Sequence, residues 1–288
     1  MKFAVVGGDR RSELLCSLLD ADGHRVSSFA LERARLPSAV LKAGCLQGCV
    51  YGADCVVLPV PAESGGLVNT PLSDGVLNMG ETLGALWPGQ LVCGGKFSED
   101  SCALAARARL RAEDMLKRSD FAAGNAAITA EAALGLLISE NEQSIQGTKV
   151  LVCGWGRIGK LLALKLKALG AEVSVAARDG ADRAMAGALG LRGLGYTGLE
   201  SEIGGFDWLV NTVPHRVISD PMLCMMGDGA FLMELASPPG GFDRKLAENI
   251  GLRVCHAPGL PGKTAPLSAA VLMKETLYSI IREQEDQG

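Results

Sequence analysis

Short apolar runs alternate with amphipathic stretches along the whole chain. Phe3-Ala4-Val5-Val6, Cys55-Val56-Val57-Leu58-Pro59-Val60 and Gln90-Leu91-Val92-Cys93 are too short for helices and apolar almost without a break. That pattern predicts strands buried on both faces. His24-Arg25-Val26 opens a further strand, while residues 11–21 and the stretch 99–117, rich in Ala, Leu and Arg, predict helices. In the second half, strands are expected at 149–153, 172–176, 207–211, 229–235 and 252–256, with helices between them. Such alternation predicts an α/β fold of two doubly wound, parallel-sheet domains. Residues 129–139 predict a helix between the halves, with Thr129 as N-cap and Glu131 in the first turn. Residues 264–283 predict a last helix that returns to the first domain. The expected domains are therefore 1–120, flavodoxin-like, carrying substrate or catalytic residues and completed by a helix in 265–288, and 121–264. An interdomain cleft is the expected place for a ligand.

The transition after the strand at 149–153 carries chemistry. It reads Val150-Leu151-Val152-Cys153-Gly154-Trp155-Gly156-Arg157-Ile158-Gly159, followed by a helix that Gly170 ends. Gly154, Gly156 and Gly159 fit the G-x-G-x-x-G turn of a Rossmann dinucleotide-binding domain. The first glycine allows the tight turn, the second lets a pyrophosphate approach the backbone, and the third lets helix pack on strand. The helix N-terminus then offers free N–H groups to phosphate. Residues 154–159, including Trp155, Arg157 and Ile158, are thus cofactor-binding candidates. The next strand ends Val175-Ala176-Ala177-Arg178. NAD-binding domains place Asp or Glu there for the ribose 2′-OH, whereas an arginine pairs with a 2′-phosphate. Arg178 argues for NADP, and Asp179, one residue on, is the competing reading.

Composition adds bounds. The chain has 288 residues and a net charge of −4, with 48% hydrophobic and 21% charged residues, enough for two cores. The mild acidity argues against a nucleic-acid surface. No uncharged apolar run is long enough to suggest a membrane span, and the start of the chain reads as a strand instead of a signal peptide. Nine cysteines, mostly in apolar runs, suit a reducing cytoplasm. Cys45, Cys49 and Cys55 lack the neighbouring histidine of a zinc pattern, so no metal is expected.

Several loops follow strands and are candidates for the rest of the site. Gly7-Gly8-Asp9-Arg10-Arg11 places two arginines at a helix start, where Arg10 and Arg11 could take a substrate carboxylate; a solvated helix start is the plainer alternative. Thr212, Val213 and Pro214 lie where a nicotinamide is bordered in many dehydrogenases. His215 is a candidate acid or base, against the simpler reading of an exposed loop histidine. Ser237, Gly240 and Gly241, in Ser237-Pro238-Pro239-Gly240-Gly241, are candidate substrate ligands, as is Lys263.

Taken together, Ala4-Val5-Val6-Gly7-Gly8-Asp9-Arg10, Leu58-Pro59-Val60, Gly124-Asn125, Thr129-Ala130-Glu131, Gly154 to Gly159, Asn211-Thr212-Val213-Pro214, Leu235-Ala236-Ser237-Pro238-Pro239-Gly240-Gly241 and Ala257-Pro258-Gly259-Leu260-Pro261-Gly262 resemble the A-subunit family of dipicolinate synthase. The resemblance spans nearly the whole chain, and the last two stretches are its most specific part; the loop at residues 63–69 departs from it. It implies an NADP-dependent oxidoreductase of spore-forming bacteria, in the mother-cell cytoplasm. Such a protein works with the flavoprotein-like B-subunit of dipicolinate synthase to make dipicolinate from a dihydrodipicolinate-type precursor of the lysine pathway. A small dicarboxylate would be the substrate, and homo-oligomers are allowed. Two other readings share the architecture: a 2-hydroxyacid or alanine dehydrogenase-like enzyme, and a non-catalytic NADP-binding scaffold.

Overall fold

The structure, a computed structural model, describes residues 1–286. The chain forms two compact units: Met1–Asn125 with the chain from Pro261 onward, and Ala126–Leu260.

In the first unit the strands are β1 (Lys2–Val6), β2 (Arg25–Phe29), β3 (Leu41–Lys42), β4 (Cys55–Val57), β5 (Glu63–Ser64), β6 (Leu67–Val68), β7 (Leu91–Gly94) and β8 (Arg111–Asp114). Apart from the small hairpin β5–β6, they make one parallel sheet in the order β3-β2-β1-β4-β7-β8. Without the two-residue edge strand β3, the remaining five follow the flavodoxin order. The second unit has β9 (Lys149–Cys153), β10 (Glu172–Ala176), β11 (Arg192–Leu194), β12 (Trp208–Asn211), β13 (Phe231–Glu234) and β14 (Arg253–His256). They form a parallel sheet in the order β11-β10-β9-β12-β13-β14. The order reverses between β9 and β12, the switch point at which such sheets bind ligands beyond their carboxyl ends. Both faces of each sheet are covered by helices over apolar cores, which is why the central strands read as unbroken apolar runs.

Two expected helices are corrected. The helix of 99–117 stops at Arg107. Arg109 takes a left-handed conformation (φ 57°), and Arg111–Asp114 then pairs with β7 as an edge strand. Asp114 turns the chain out of that strand by accepting from Leu116 N and Lys96 N. Tertiary pairing overrides local helix propensity here. The helix expected at 129–139 begins at Ser119, so Thr129 lies buried in its middle and is not an N-cap. The Ala-rich residues before it extend the helix. This helix, Ser119–Ser139, is long and apolar enough to cross a membrane. Its buried side chains are nonetheless core residues of the units: Phe121 in the first, Ala130, Ala133 and Leu137 in the second.

The carboxyl-terminal helix Pro266–Glu285 packs on the first unit through Ala270, Met273, Leu277, Ile280 and Ile281, against Phe3, Leu15 and Leu19. A polar cluster marks its edge. Lys274 Nζ and the Tyr278 hydroxyl both donate to Asp22 Oδ2, at 2.6 and 2.7 Å. The His24 Nε2 lies 2.9 Å from the same hydroxyl oxygen, so the ring nitrogen donates to it. Burial, then the neighbouring amino-terminal charge, lowers the His24 pKa, and hydrogen bonds from Lys274 and Tyr278 lower that of Asp22. A histidine depressed in the folded state resists protonation. Its contribution is intact above the ordinary value of about 6.5 and is lost as pH falls from there toward the folded value. Asp22 acts in the same direction at lower pH, below the usual carboxylate range. The melting temperature is therefore expected to fall as pH drops below about 6.5. A His24→Phe variant should lose that first decline; an unchanged one would exclude His24 as its source.

Candidate functional site

The glycine turn after β9 has the geometry its residues promise. Gly154 has φ +103°, and a Cβ there would stand 2.5 Å from Thr212 Oγ1 and 2.8 Å from Val213 Cγ2. A Cβ on Gly159 would lie 2.2 Å from the Gly154 carbonyl oxygen, so helix Arg157–Ala168 packs as close to β9 as glycine allows. Gly156 differs: its Cβ position has nothing within 4 Å. Two glycines are thus required by protein atoms, and the third leaves an open cradle. Gly156 is also the helix N-cap and brings no side chain to it. The first turn carries the exposed Arg157 and Lys160 and no acid. Cations at the positive end of a helix are unfavourable unless an anion joins them. Trp155, only 6% exposed, contributes the one buried side-chain polar atom without a partner among the described residues, its indole Nε1. Ile158 packs against the same core. Open cradle, free helix amides and basic first turn fit a dinucleotide pyrophosphate.

The end of β10 shows what Asp179 does. Its Oδ1 accepts from Ala181 N at 2.9 Å as the N-cap of helix Gly180–Ala188. Arg178 is exposed beside it, without a hydrogen-bonded side-chain partner among the described residues. A second arginine, which no sequence motif marks, reaches the same backbone. Arg183 Nη1 donates to the carbonyls of Ala177 and Arg178, at 3.0 and 2.6 Å. The Tyr196 hydroxyl donates to Ala176 O at 3.1 Å, and burial pushes this phenol's pKa up.

The loops after β12 and β13 are joined by a buried pair. Asn211 is fully buried and Glu234 is 2% exposed. Asn211 Nδ2 donates to Glu234 Oε1 at 2.7 Å and to Val213 O at 2.8 Å, while its Oδ1 accepts from Val213 N. Glu234 also accepts from Ala236 N at 2.8 Å and Gly241 N at 2.7 Å. This corrects the expectation for Gly240 and Gly241. The Gly241 amide is held by Glu234, and the Gly240 amide donates to Ser237 O at 3.1 Å, so neither is free for a substrate carboxylate. Gly241 is required by packing instead, since a Cβ would meet Asn211 at 2.3 Å. Glu234, a lone acid in an apolar strand, is the sequence signal for this network. Thr212 is committed too: its hydroxyl and amide both bond Cys153 O, at 2.8 and 3.0 Å, tying β12 to the glycine turn. Val213 abuts Gly154, and Pro214 and His215 are on the loop that follows, His215 exposed. Ser237 is exposed beside the cis Pro238–Pro239 peptide. Lys263 is exposed on a short helix, Leu260–Thr264.

In the first unit Arg10 and Arg11 both pair with acids near the start of their own helix. Arg11 is 8% exposed and binds Asp9 with Nε and Nη2, at 3.0 and 2.8 Å. Gly262 lies against that pair, where a Cβ would stand 2.8 Å from Arg11 Nε. Arg10 pairs with Glu13. The Gly7-Gly8 turn is filled as well: a Cβ would meet Thr70 Cγ2 at 2.8 Å and Ser12 Oγ at 1.9 Å. Arg11 is thus held by Asp9 at the start of its own helix, whereas Arg10 is half exposed and pairs with Glu13 through Nη1 alone.

Comparison with known proteins agrees with the division of the chain. Residues 2–116 match the family model for the N-terminal domain of the dipicolinate synthase A-subunit. Residues 138–238 match "D-isomer specific 2-hydroxyacid dehydrogenase, NAD binding domain". The chain is 31% identical over 297 residues to the A-subunit of dipicolinate synthase of Bacillus subtilis, covering 100% of this chain and 98% of that protein. It is similar in structure to the dipicolinate synthase A chain from Bacillus subtilis, with a TM-score of 0.88, 28% identity and 100% and 98% of the two chains covered. The corresponding protein from Bacillus halodurans gives a TM-score of 0.88 at 26% identity, with 97% of each chain covered.

Proposed function

The chain belongs to the A-subunit family of dipicolinate synthase, and on that footing we propose that it oxidises a dihydrodipicolinate-type precursor to dipicolinate with NADP. Its family and its nicotinamide-binding domain make it an oxidoreductase. The choice of NADP is carried by one observation: β10 ends in an exposed Arg178, and the acid next to it caps the following helix through Oδ1. A 2′-phosphate meets a cation there.

The chemistry asks little of side chains. Oxidation of the dihydropyridine removes a hydride and a proton: a bound dinucleotide would supply the hydride acceptor, and solvent or the exposed His215 would take the proton. The ring becomes aromatic, which supplies the driving force. Alignment is the protein's main contribution. Ser237 remains a candidate for a substrate carboxylate, and the flavoprotein-like B-subunit is the proposed partner, in the cytoplasm of the sporulating mother cell.

The expected result with that partner present is dipicolinate formed in step with NADPH. Arg178→Asp should weaken NADP by about tenfold to a hundredfold, the loss of roughly 1.5–3 kcal/mol from hydrogen bonds to a charged group, while NAD changes far less. Equal losses for both cofactors would refute the role of Arg178. The match of residues 138–238 to an NAD-binding hydroxyacid dehydrogenase domain favours one competing reading, NAD-linked oxidation of 2-hydroxyacids. Turnover of such acids with NAD, and none of the dihydropyridine, would establish it. Binding of NADP with no turnover would leave a scaffold.

A further inference from the structure

The end of β10 holds a second guanidinium whose position the dinucleotide motif does not require. Arg183 is on the first turns of helix Gly180–Ala188, and its side chain folds back toward the helix start, as long helical side chains do. Nη1 bridges the carbonyls of Ala177 and Arg178. Nη2 lies 3.6 Å from where a Cβ of Gly180 would be, and the guanidinium carbon 4.0 Å from that of Gly195. Those are ordinary contact distances; of the glycines around this arginine only Gly193 is sterically required, because its Cβ would come within 2.5 Å of the Arg183 carbonyl oxygen. Its Nε and Nη2 have no hydrogen-bond partner among the described residues, and no acid pairs with it or with Arg178. Two guanidinium groups thus stand at one strand end with donors to spare, Asp179 beside them capping the helix through Oδ1, and a doubly charged anion could accept from both.

We propose that Arg183 is a specificity-determining residue for the dinucleotide. It pins the Ala177–Arg178 backbone through Nη1 and turns its remaining N–H groups to the same 2′-phosphate that Arg178 receives. This rests on the proposal that the glycine turn of the second unit binds NADP. An arginine that only braced Arg178 would have no further effect on NADP once Arg178 is replaced by alanine; one that reads the phosphate still weakens NADP, and not NAD, in that Arg178→Ala background, and absence of that further loss overturns the proposal.

The test is equilibrium binding of NADP and of NAD to the full chain and to Arg183→Met, which keeps most of the apolar length and removes every donor. NADP is expected to weaken by about tenfold and NAD to stay within about twofold, as for one lost charge-assisted contact. Arg183→Lys keeps a cation without the fork and should fall between, which also covers the case in which the methionine variant fails to fold. Equal weakening of both dinucleotides, or no change in either, overturns the proposal while leaving the NADP reading standing. Wild-type protein that binds neither dinucleotide, or binds both alike, overturns both readings.

Discussion

Alanine at Gly156 is expected to leave the protein folded and to remove dinucleotide binding, whereas alanine at Gly159 is expected to damage the fold itself. The two glycines are three residues apart in one turn, and the difference lies in what a methyl group meets. At Gly156 it meets nothing within 4 Å, and φ is −74°, which alanine adopts freely. The stability change is therefore small, within about 1 kcal/mol, a gain from the stiffer unfolded chain offsetting a poorer N-cap. The methyl would instead occupy the space in which a pyrophosphate approaches the backbone, and binding should fall by more than about tenfold. At Gly159 the methyl would stand 2.2 Å from the Gly154 carbonyl oxygen, a backbone atom that cannot rotate away. Helix and strand must separate, and a cost at or above the roughly 1–3 kcal/mol of ordinary overpacking is expected. Urea unfolding and equilibrium dialysis on the two variants separate these outcomes. A destabilised Gly156→Ala protein, or one that binds NADP normally, would remove the cradle from the argument.

This contrast shows which parts of the site can be read from residues alone. The strand before Gly154 is legible because both its faces are buried, so its sequence is apolar throughout. The glycine spacing is legible because each position answers to a separate steric demand. The edge strands β3, β8 and β11 are not, because they exist by pairing. Leu41–Lys42 and Arg111–Asp114 carry exposed or charged residues and become strands only beside Ser27–Ser28 and Leu91–Gly94. Charge is hard to read for a related reason. Arg10 and Arg11 look like anion receptors in sequence, yet Glu13 and Asp9 lie within three residues and pair with them. Arg183 is silent in the sequence because its role depends on a carbonyl five residues back that only the strand-to-helix turn brings near. The amides of Gly240 and Gly241 look free because the acid that binds one of them sits on β13, facing back into the loop.

The largest loss of stability is expected from Glu234→Ala. Three donors end on this side chain: Asn211 Nδ2, Ala236 N and Gly241 N. Alanine removes every acceptor and fills none of the space. Asn211 keeps Val213 O, but both amides are left buried and unpaired, at about 1–3 kcal/mol each, with a cavity added to that. A total of roughly 3–5 kcal/mol would follow, enough to unfold much of a marginally stable protein. Glu234→Gln is the informative companion. It preserves volume and one oxygen, but its amide nitrogen must face a backbone N–H, so it should cost less than alanine and more than a surface change. The consequence reaches the site because the network holds two loops at once. Asn211 fixes Val213, whose side chain abuts Gly154, and Glu234 fixes Gly241 behind Ser237. Glu234→Gln protein that remains folded should therefore bind NADP more weakly although position 234 is on a buried strand. If the alanine variant melted within a degree or two of wild type, the pair would be incidental to the fold, and the alignment of the two loops would have to come from the sheet alone.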